Sequence, residues 1–156
     1  MGLSVRATLR VPLPGLALIA LVVCGGCEAI TGDDGVRRER LLGWISFHGE
    51  PVVVDTPGTV SRGVDFDVTV RTYGGGCVDQ GDAEVTLSGA DAEVRPFDIF
   101  VTRAPNNYVC TTDILKSFTH RATLRFMQPG PATVRFRGRA EPSGETIVVE
   151  RQVTVQ

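Results

Sequence analysis

The sequence predicts an all-β domain, an antiparallel β-sandwich of about seven to nine short strands that follows a cleaved signal peptide. From Leu41 onward, apolar residues alternate with polar ones, as in strands with one face in a core and the other in water. Turn-forming residues, as at 74–76, 88–91 and 141–144, separate these stretches. No window shows helical periodicity over a useful length.

The N-terminal segment has the layout of a secretory signal. Arg6 and Arg10 precede a largely apolar stretch over residues 11–23, and no acidic residue lies before Glu28. As a helix, this stretch would cover roughly 20 Å, well short of the ~30 Å hydrocarbon core of a membrane. We therefore expect residues 1–26 to be a signal peptide that is removed.

The end of this signal resembles the lipobox of bacterial lipoproteins, because Gly25 and Gly26 precede Cys27. In that motif, small residues precede a cysteine that is acylated and becomes the first residue of the mature chain. The resemblance implies a palmitate-type lipid on Cys27 and a lipid-anchored place in the cell envelope. It favours the outer membrane over the inner membrane, because Glu28 stands where Asp is the usual inner-membrane retention signal. Lipidation at Cys24, ordinary cleavage and an uncleaved anchor are the alternatives.

Composition indicates one domain and no affinity for nucleic acid. Residues 27–40 are polar and without apolar period, so we expect a flexible tether there and a folded domain over 41–156. Arginines at the end of this tether could contact anionic lipid, and a solvated linker is the alternative. Because Arg6 and Arg10 leave with the signal and all 18 acidic residues remain, the mature chain has a net charge of −4.

The predicted strands follow in order along the chain. They cover residues 42–47, 52–54, 64–70, 83–87, 93–101, 122–126, 132–136 and 147–155. Pro96 interrupts the fifth, so we place that residue on an edge strand or at a bulge. Residues 51–72, with Pro57, Gly63, Phe66 and Val68, resemble the opening strands of bacterial immunoglobulin-like domains, and 129–139 resemble their last hairpin. The resemblance implies an immunoglobulin-like sandwich and very little about function.

Two cysteines remain once Cys24 is assigned to the signal and Cys27 to the lipid. They are Cys77 and Cys110, and an exported domain lies in an oxidising compartment. We expect a structural disulfide that ties the loop after Arg71 to the turn-rich segment 102–119. Two unpaired thiols are the alternative.

No constellation of catalytic or metal-binding residues stands out, so we expect neither enzymatic activity nor a cofactor. The histidines, His48 and His120, lie at strand ends, and we expect both on the surface; no nucleophile elbow, zinc motif or phosphate loop accompanies them. Two metal interpretations are rejected, because the ligand spacing of blue-copper sites and the pattern of calcium loops are both missing. The residues concerned are His48, Cys110, His120 and Met127 for copper, and Asp79, Asp82 and Glu84 for calcium.

Five arginines have the solvent-facing parity of two successive strands: Arg121, Arg125, Arg135, Arg137 and Arg139. Together they would form a possible face for an anionic partner, since guanidinium groups bind carboxylates and phosphates in a fixed fork geometry. The alternative is that they pair with acids on neighbouring strands, such as Glu150. In that case, the binding surface would lie in the loops over 74–82 and 102–118.

The sequence thus favours a membrane-tethered, non-catalytic module of the cell envelope that binds a partner or has a structural role. The partner classes that fit are an envelope protein or an anionic envelope polymer. A periplasmic enzyme and a small-ligand carrier, each with an unrecognised loop site, are the alternative functions.

Overall fold

The computed structural model describes residues 30–31, 35–111 and 114–156, and in these residues the fold is all-β, as predicted. The predicted signal peptide and the lipidation site at Cys27 lie outside the described residues. Four of the eleven described strands have only two or three residues, which explains the excess over the predicted number. The strands are β1 (Ile30–Thr31), β2 (Arg37–Leu42), β3 (Trp44–Ser46), β4 (Val54–Asp55), β5 (Thr59–Val60), β6 (Phe66–Gly74), β7 (Val78–Ser88), β8 (Asp91–Arg103), β9 (Lys116–Leu124), β10 (Gly130–Ala140) and β11 (Thr146–Val155).

The strands form one connected sheet that curls into a half-barrel. Its order is β1-β2-β8-β10-β3-β6-β4, and β7, β9 and β11 pair with β8, β6 and β10 respectively. Most pairs are antiparallel, but β10 runs parallel to β8 and to β3, and β11 runs parallel to β5. The β8–β10 pair is parallel because β9 carries the chain back along β6 before β10 begins.

The core lies between the two halves of the curled sheet. Val68 and Val70 of β6 face Val134 and Phe136 of β10, and all four are buried. The period-two pattern predicted these positions, since a shift of one residue would expose them and bury their polar neighbours. The pattern was wrong for Val64, which lies before β6 begins, and for Val85 and Leu87 of β7, an edge strand that pairs with β8 alone in the described part of the chain; all three side chains are exposed.

Pro96 lies where the neighbours of β8 change. Before it, β8 pairs with β10 up to Val94, and after it with β2 from Phe97. The register of β7 also shifts opposite this point, between Gln80 and Ala83. A residue without an N–H group fits such an irregularity, although β8 itself has neighbours on both sides.

The folded domain begins earlier than Leu41. Val36 is buried, β1 pairs with β2, and β2 pairs with β8, so residues 30–31 and 37–40 of the predicted tether belong to strands. The apolar pattern was missing because polar groups make the contacts of β2. The Arg40 guanidinium bonds to Asp82 and lies 3.5 Å from the centre of the Phe97 ring.

The predicted disulfide is present. Cys77 and Cys110 are bonded, with their Cα atoms 5.3 Å apart, and the bond joins the β6–β7 loop to the segment between β8 and β9. Two further contacts support this junction: the N–H of Gly76 donates to the Thr111 carbonyl, and the Lys116 ammonium donates to the Gly76 carbonyl.

Candidate functional site

A buried polar cluster joins β6, β8 and β9. His120 Nε2 lies 3.0 Å from Thr72 Oγ1 and 3.0 Å from Asp98 Oδ1, and at most 2% of any of these residues is exposed. The expectation that His120 lies on the surface was therefore wrong. The alternation along β9 could have predicted this burial, because His120 lies on the same strand face as the buried residues Ala122 and Leu124.

This cluster combines the residue types of a hydrolase triad, but its geometry does not permit that chemistry. In a triad, one ring nitrogen donates to the acid while the other accepts the proton of the nucleophile. Here the same nitrogen of His120 contacts both Asp98 and Thr72. A substrate has no access either, since a methyl group added at Gly43 would already lie 2.7 Å from Asp98 Oδ2. The cluster instead holds three strands together across the core.

Arg139 approaches the cluster from β10. Its guanidinium lies 4.2 Å from the ring centre of Trp44 and 4.9 Å from that of Phe100, and its Nε donates to the Leu42 carbonyl. Burial lowers the pKa of Arg139 from its ordinary value, and the nearby charge of Asp98 acts in the opposite direction. Arg139 is thus a packing residue and not part of an open cationic face.

The five arginines of the predicted face do not lie on one hairpin. β9 and β10 follow each other in the chain, but β9 pairs with β6 whereas β10 pairs with β8, β3 and β11. Arg121 and Arg125 therefore lie on one side of the fold, apart from the three arginines of β10. Pairing between strands that are distant in sequence decides this separation, and alternation along a strand carries no information about it.

The other four of the five arginines form ion pairs with acidic side chains. Both Nε and Nη2 of Arg125 donate to Asp65, at 2.6 and 2.8 Å, and Arg135 bridges Asp91 and Glu150 at 2.8 and 2.7 Å. The hydrogen bonds from Arg125 lower the pKa of Asp65 from its ordinary value. The remaining ion pairs join Arg121 to Asp67 at 2.8 Å and Arg137 to Glu93 at 2.9 Å.

The residues considered for metal binding have other contacts in the structure. Cys110 is in the disulfide, His48 Nδ1 lies 3.2 Å from Glu141, and Asp82 bonds to Arg40. Within residues 30–31, 35–111 and 114–156, no group of three or more His, Cys, Asp or Glu residues could hold a metal ion. Nor does that part of the chain contain a helix long and apolar enough to cross a bilayer.

Described residues form two open depressions on the surface. Their volumes are about 260 and 240 Å³, below the roughly 300–1,000 Å³ of typical ligand pockets. One lies beside Val64 and Gln156, and the other beside Arg135. Neither contains a group with the geometry of a nucleophile and a base.

Several large apolar side chains are exposed in the segment between β8 and β9. We call residues 104–111 and 114–115 the apolar loop; Thr112 and Asp113, between these two parts, are outside the described residues. The exposed side chains, with their accessible fractions, are Tyr108 at 38%, Val109 at 81%, Ile114 at 50% and Leu115 at 50%.

The apolar loop and the N-terminal end of the domain lie together. The backbone of Gly35 packs against Pro105, where an added methyl group would lie 3.6 Å from Cγ, and Arg37 is the register partner of Arg103. This loop belongs to the region that the sequence named as the alternative binding surface, and it is the candidate functional site that the geometry supports best. No family model, no curated protein and no solved structure matches this chain.

Proposed function

We propose that this chain is a cell-envelope lipoprotein in which a lipid on Cys27 anchors a non-catalytic β domain that acts as a binding or structural module. The observation that carries the proposal is Gly25-Gly26-Cys27 at the end of the apolar stretch 11–23, from which only Cys24 separates it. Small residues before a cysteine at the end of such a stretch are what the lipoprotein-processing signal requires. Glu28 favours the outer membrane as the place of the anchor.

The disulfide supports an envelope location. A bond between Cys77 and Cys110 persists in oxidising compartments, whereas cytosolic thiol systems keep such pairs reduced. Among the described residues, neither cysteine belongs to a group of three or more His, Cys, Asp or Glu residues that could hold a metal ion. An exported, anchored domain accounts for the four cysteines of the chain, with Cys24 removed in the signal.

The absence of catalysis is part of the proposal. It is supported by the buried cluster at His120, where one ring nitrogen contacts both Asp98 and Thr72. The partner classes that we propose are an envelope protein or an anionic envelope polymer, reached by a domain attached to the membrane. The exposed apolar side chains of the apolar loop support a protein or lipid contact more than a polymer contact, because burying them in a partner removes apolar surface from water.

We also propose that the curled sheet is a variant of the immunoglobulin-like sandwich. β6 and β9 form one layer and β8, β10 and β11 the other, and residues of both layers meet in one core. β3 joins the layers, since it pairs with both β6 and β10. An experimental structure in which the layers separate into two Greek-key sheets would support this assignment, and a closed barrel would contradict it.

The lipid anchor is tested by mass spectrometry of the mature protein purified from envelopes. We expect the first residue to be an acylated Cys27, with nothing before it. Cys27→Ser should abolish acylation and move the protein out of the membrane fraction, whereas the matched variant Cys24→Ser should change neither. A mature chain that begins with an unmodified residue would contradict the proposal.

A further inference from the structure

The outer side of β7 has no neighbouring strand over the second half of its length. In the described part of the chain, β7 pairs with β8 alone, in a register that runs without a shift from Ala83 to Ser88. Before this stretch, a side-chain hydrogen bond connects β7 to β9, because the Gln80 amide donates to the Thr119 carbonyl. We call residues 83–88 the free edge. Such an edge presents backbone groups with which a further strand can pair.

Alternate residues of the free edge direct their backbone groups outward. The Pro96 carbonyl accepts from the Gly43 N–H, on the side of β8 away from β7. Ala83, the register partner of Pro96, therefore forms a non-hydrogen-bonded pair with it. Since the two kinds of pair alternate along an antiparallel ladder, Val85 and Leu87 are also in non-hydrogen-bonded pairs with β8. These three residues of β7 thus present their N–H and C=O groups to the outer side of the strand.

The free edge also carries apolar side chains that the core does not cover. Val85 and Leu87 lie opposite Val94 and Ala92 of β8, on the face of the sheet that is directed towards the core. The two residues of β8 are buried, whereas Val85 is 37% exposed and Leu87 is 49% exposed. The layer that covers β8 therefore ends short of β7. Unpaired backbone groups and uncovered apolar side chains together mark a surface that a further strand can complete.

The features that usually keep edge strands from pairing are missing from the free edge. Its residues include no lysine and no proline, and the register shift of β7 lies before it. Its one charged residue is Glu84, on the outer face of the sheet. Arg40 and Arg95 donate to the Glu84 carboxylate, at 2.8 and 3.0 Å, so its charge is balanced within the domain.

β11 is another long edge strand, and it differs in what its core face exposes. Ile147 and Val149 pack against the core, so no apolar surface is left uncovered there. The Thr154 N–H donates to the Gly58 carbonyl, on the side of β11 away from β10. By the same alternation, Val148 directs its backbone groups outward, and its side chain is 40% exposed on the other face. This position therefore matches Val85 in residue type, exposure and backbone direction.

We propose that the free edge is a dimer interface, at which β7 pairs antiparallel with β7 of a second copy about a two-fold axis at Val85. Val85 then lies opposite Val85 of the second copy, and Ala83 lies opposite Leu87. On the outer face, Glu84 lies opposite Thr86. The outward-directed residues of the two copies form about six hydrogen bonds. Because the axis is perpendicular to the sheet, their apolar side chains lie side by side on one face and cover each other.

The charges of β7 select this register and make the strand complementary to itself. A register centred one residue earlier would place Glu84 opposite Glu84 of the second copy, and like charges that lie directly opposite repel each other. A register centred one residue later would leave Ala83 outside the paired strands. In the register centred on Val85, both Asp82 and Glu84 lie opposite uncharged residues. A second copy of this chain therefore fits the free edge without a repulsive contact.

The first test is a cross-link, because a contact through one strand of each copy is small beside the ~1,200 Å² of a standard interface and should be reversible. The mature protein carrying Val85→Cys is oxidised with copper phenanthroline in detergent and separated without reductant. Residues that face each other in a hydrogen-bonded pair are about 5.5 Å apart, which a disulfide can span, so most of this variant should become a covalent dimer. Val148→Cys is the matched control and should stay monomeric. Wild-type protein in the same reaction reports any bond that forms through Cys27.

The second test removes an outward hydrogen bond and keeps the fold. Val85→Pro takes away an N–H group that β8 does not use, and proline is accepted on edge strands. Sedimentation in detergent measures the mass at increasing protein concentration. The mass at high concentration should be about twofold lower for Val85→Pro than for wild type, whereas Val148→Pro should match wild type. Circular dichroism checks that both variants keep the native strands.

Three outcomes would overturn the inference. They are equal cross-linking of the two cysteine variants, wild-type protein that is monomeric at every concentration, and a dimer that persists in folded Val85→Pro, which another surface would then hold. If Val85→Pro does not fold, the cross-link alone decides. The inference does not depend on the lipid anchor, because mass and cross-linking are measured in detergent whether or not Cys27 is acylated.

Discussion

Removing the disulfide tests how much of the domain's stability comes from closing one loop. Cys77 and Cys110 are 33 positions apart. In the loop-closure treatment, a bond at this separation removes denatured-state entropy worth about 4 kcal/mol at 25 °C. The fall in Tm is this free energy divided by the entropy of unfolding. For the 122 positions from Gly35 to Gln156, it is about 15 °C.

The variant is Cys77→Ser with Cys110→Ser, followed by circular dichroism during heating. The native strands should persist at low temperature, because the Gly76–Thr111 hydrogen bond and the contacts of Lys116 remain to hold the junction. Wild-type protein in reductant is the matched control and should melt at the same temperature as the variant. A fall in Tm of less than about 3 °C, or two free thiols detected by alkylation of the native protein, would refute the reasoning.

Three more predictions concern buried and surface polar groups. Gly43→Ala should destabilise the domain by about 1–3 kcal/mol in urea unfolding, because its methyl group would overlap the Asp98 carboxylate; an unchanged midpoint would contradict this. Changing Asp98 and His120 to Ala, singly and together, should give a coupling energy of about 1–3 kcal/mol, whereas additive effects would show that the two do not support each other. Arg125 lowers the pKa of Asp65, so the ion pair stabilises the fold above about pH 4 and less as pH falls through the folded pKa. The difference in Tm between wild type and Asp65→Asn should therefore vanish in acid, and a difference that persists there would have another cause.

The sequence predicted the core because a single rule connects alternation with burial. Val68, Val70, Val134 and Phe136 lie inside as their parity requires. The same rule, applied without regard to polarity, would also have placed His120 inside. A polar side chain is accepted at such a position when the facing strands supply partners, and those partners come from distant parts of the chain.

The remaining differences have one physical origin, which is pairing between distant segments. β2 was missed because arginine contacts to Asp82 and to the Phe97 ring replace an apolar pattern. The arginines of β9 and β10 were placed on one face because consecutive strands often pair, whereas here β9 returns along β6. Residue types along a strand give its two faces, but they do not give its neighbours.

The distribution of contacts favours the apolar loop over the arginines as the place where this domain meets a partner. An anionic partner at Arg125 would have to displace the two hydrogen bonds of Asp65, and exchanging one exposed ion pair for another changes the free energy by little. Val109 and Leu115 have no such competing contact to lose. Covering them removes apolar surface from water, which favours binding by about 25 cal/mol per Å² before the entropic cost of association is subtracted.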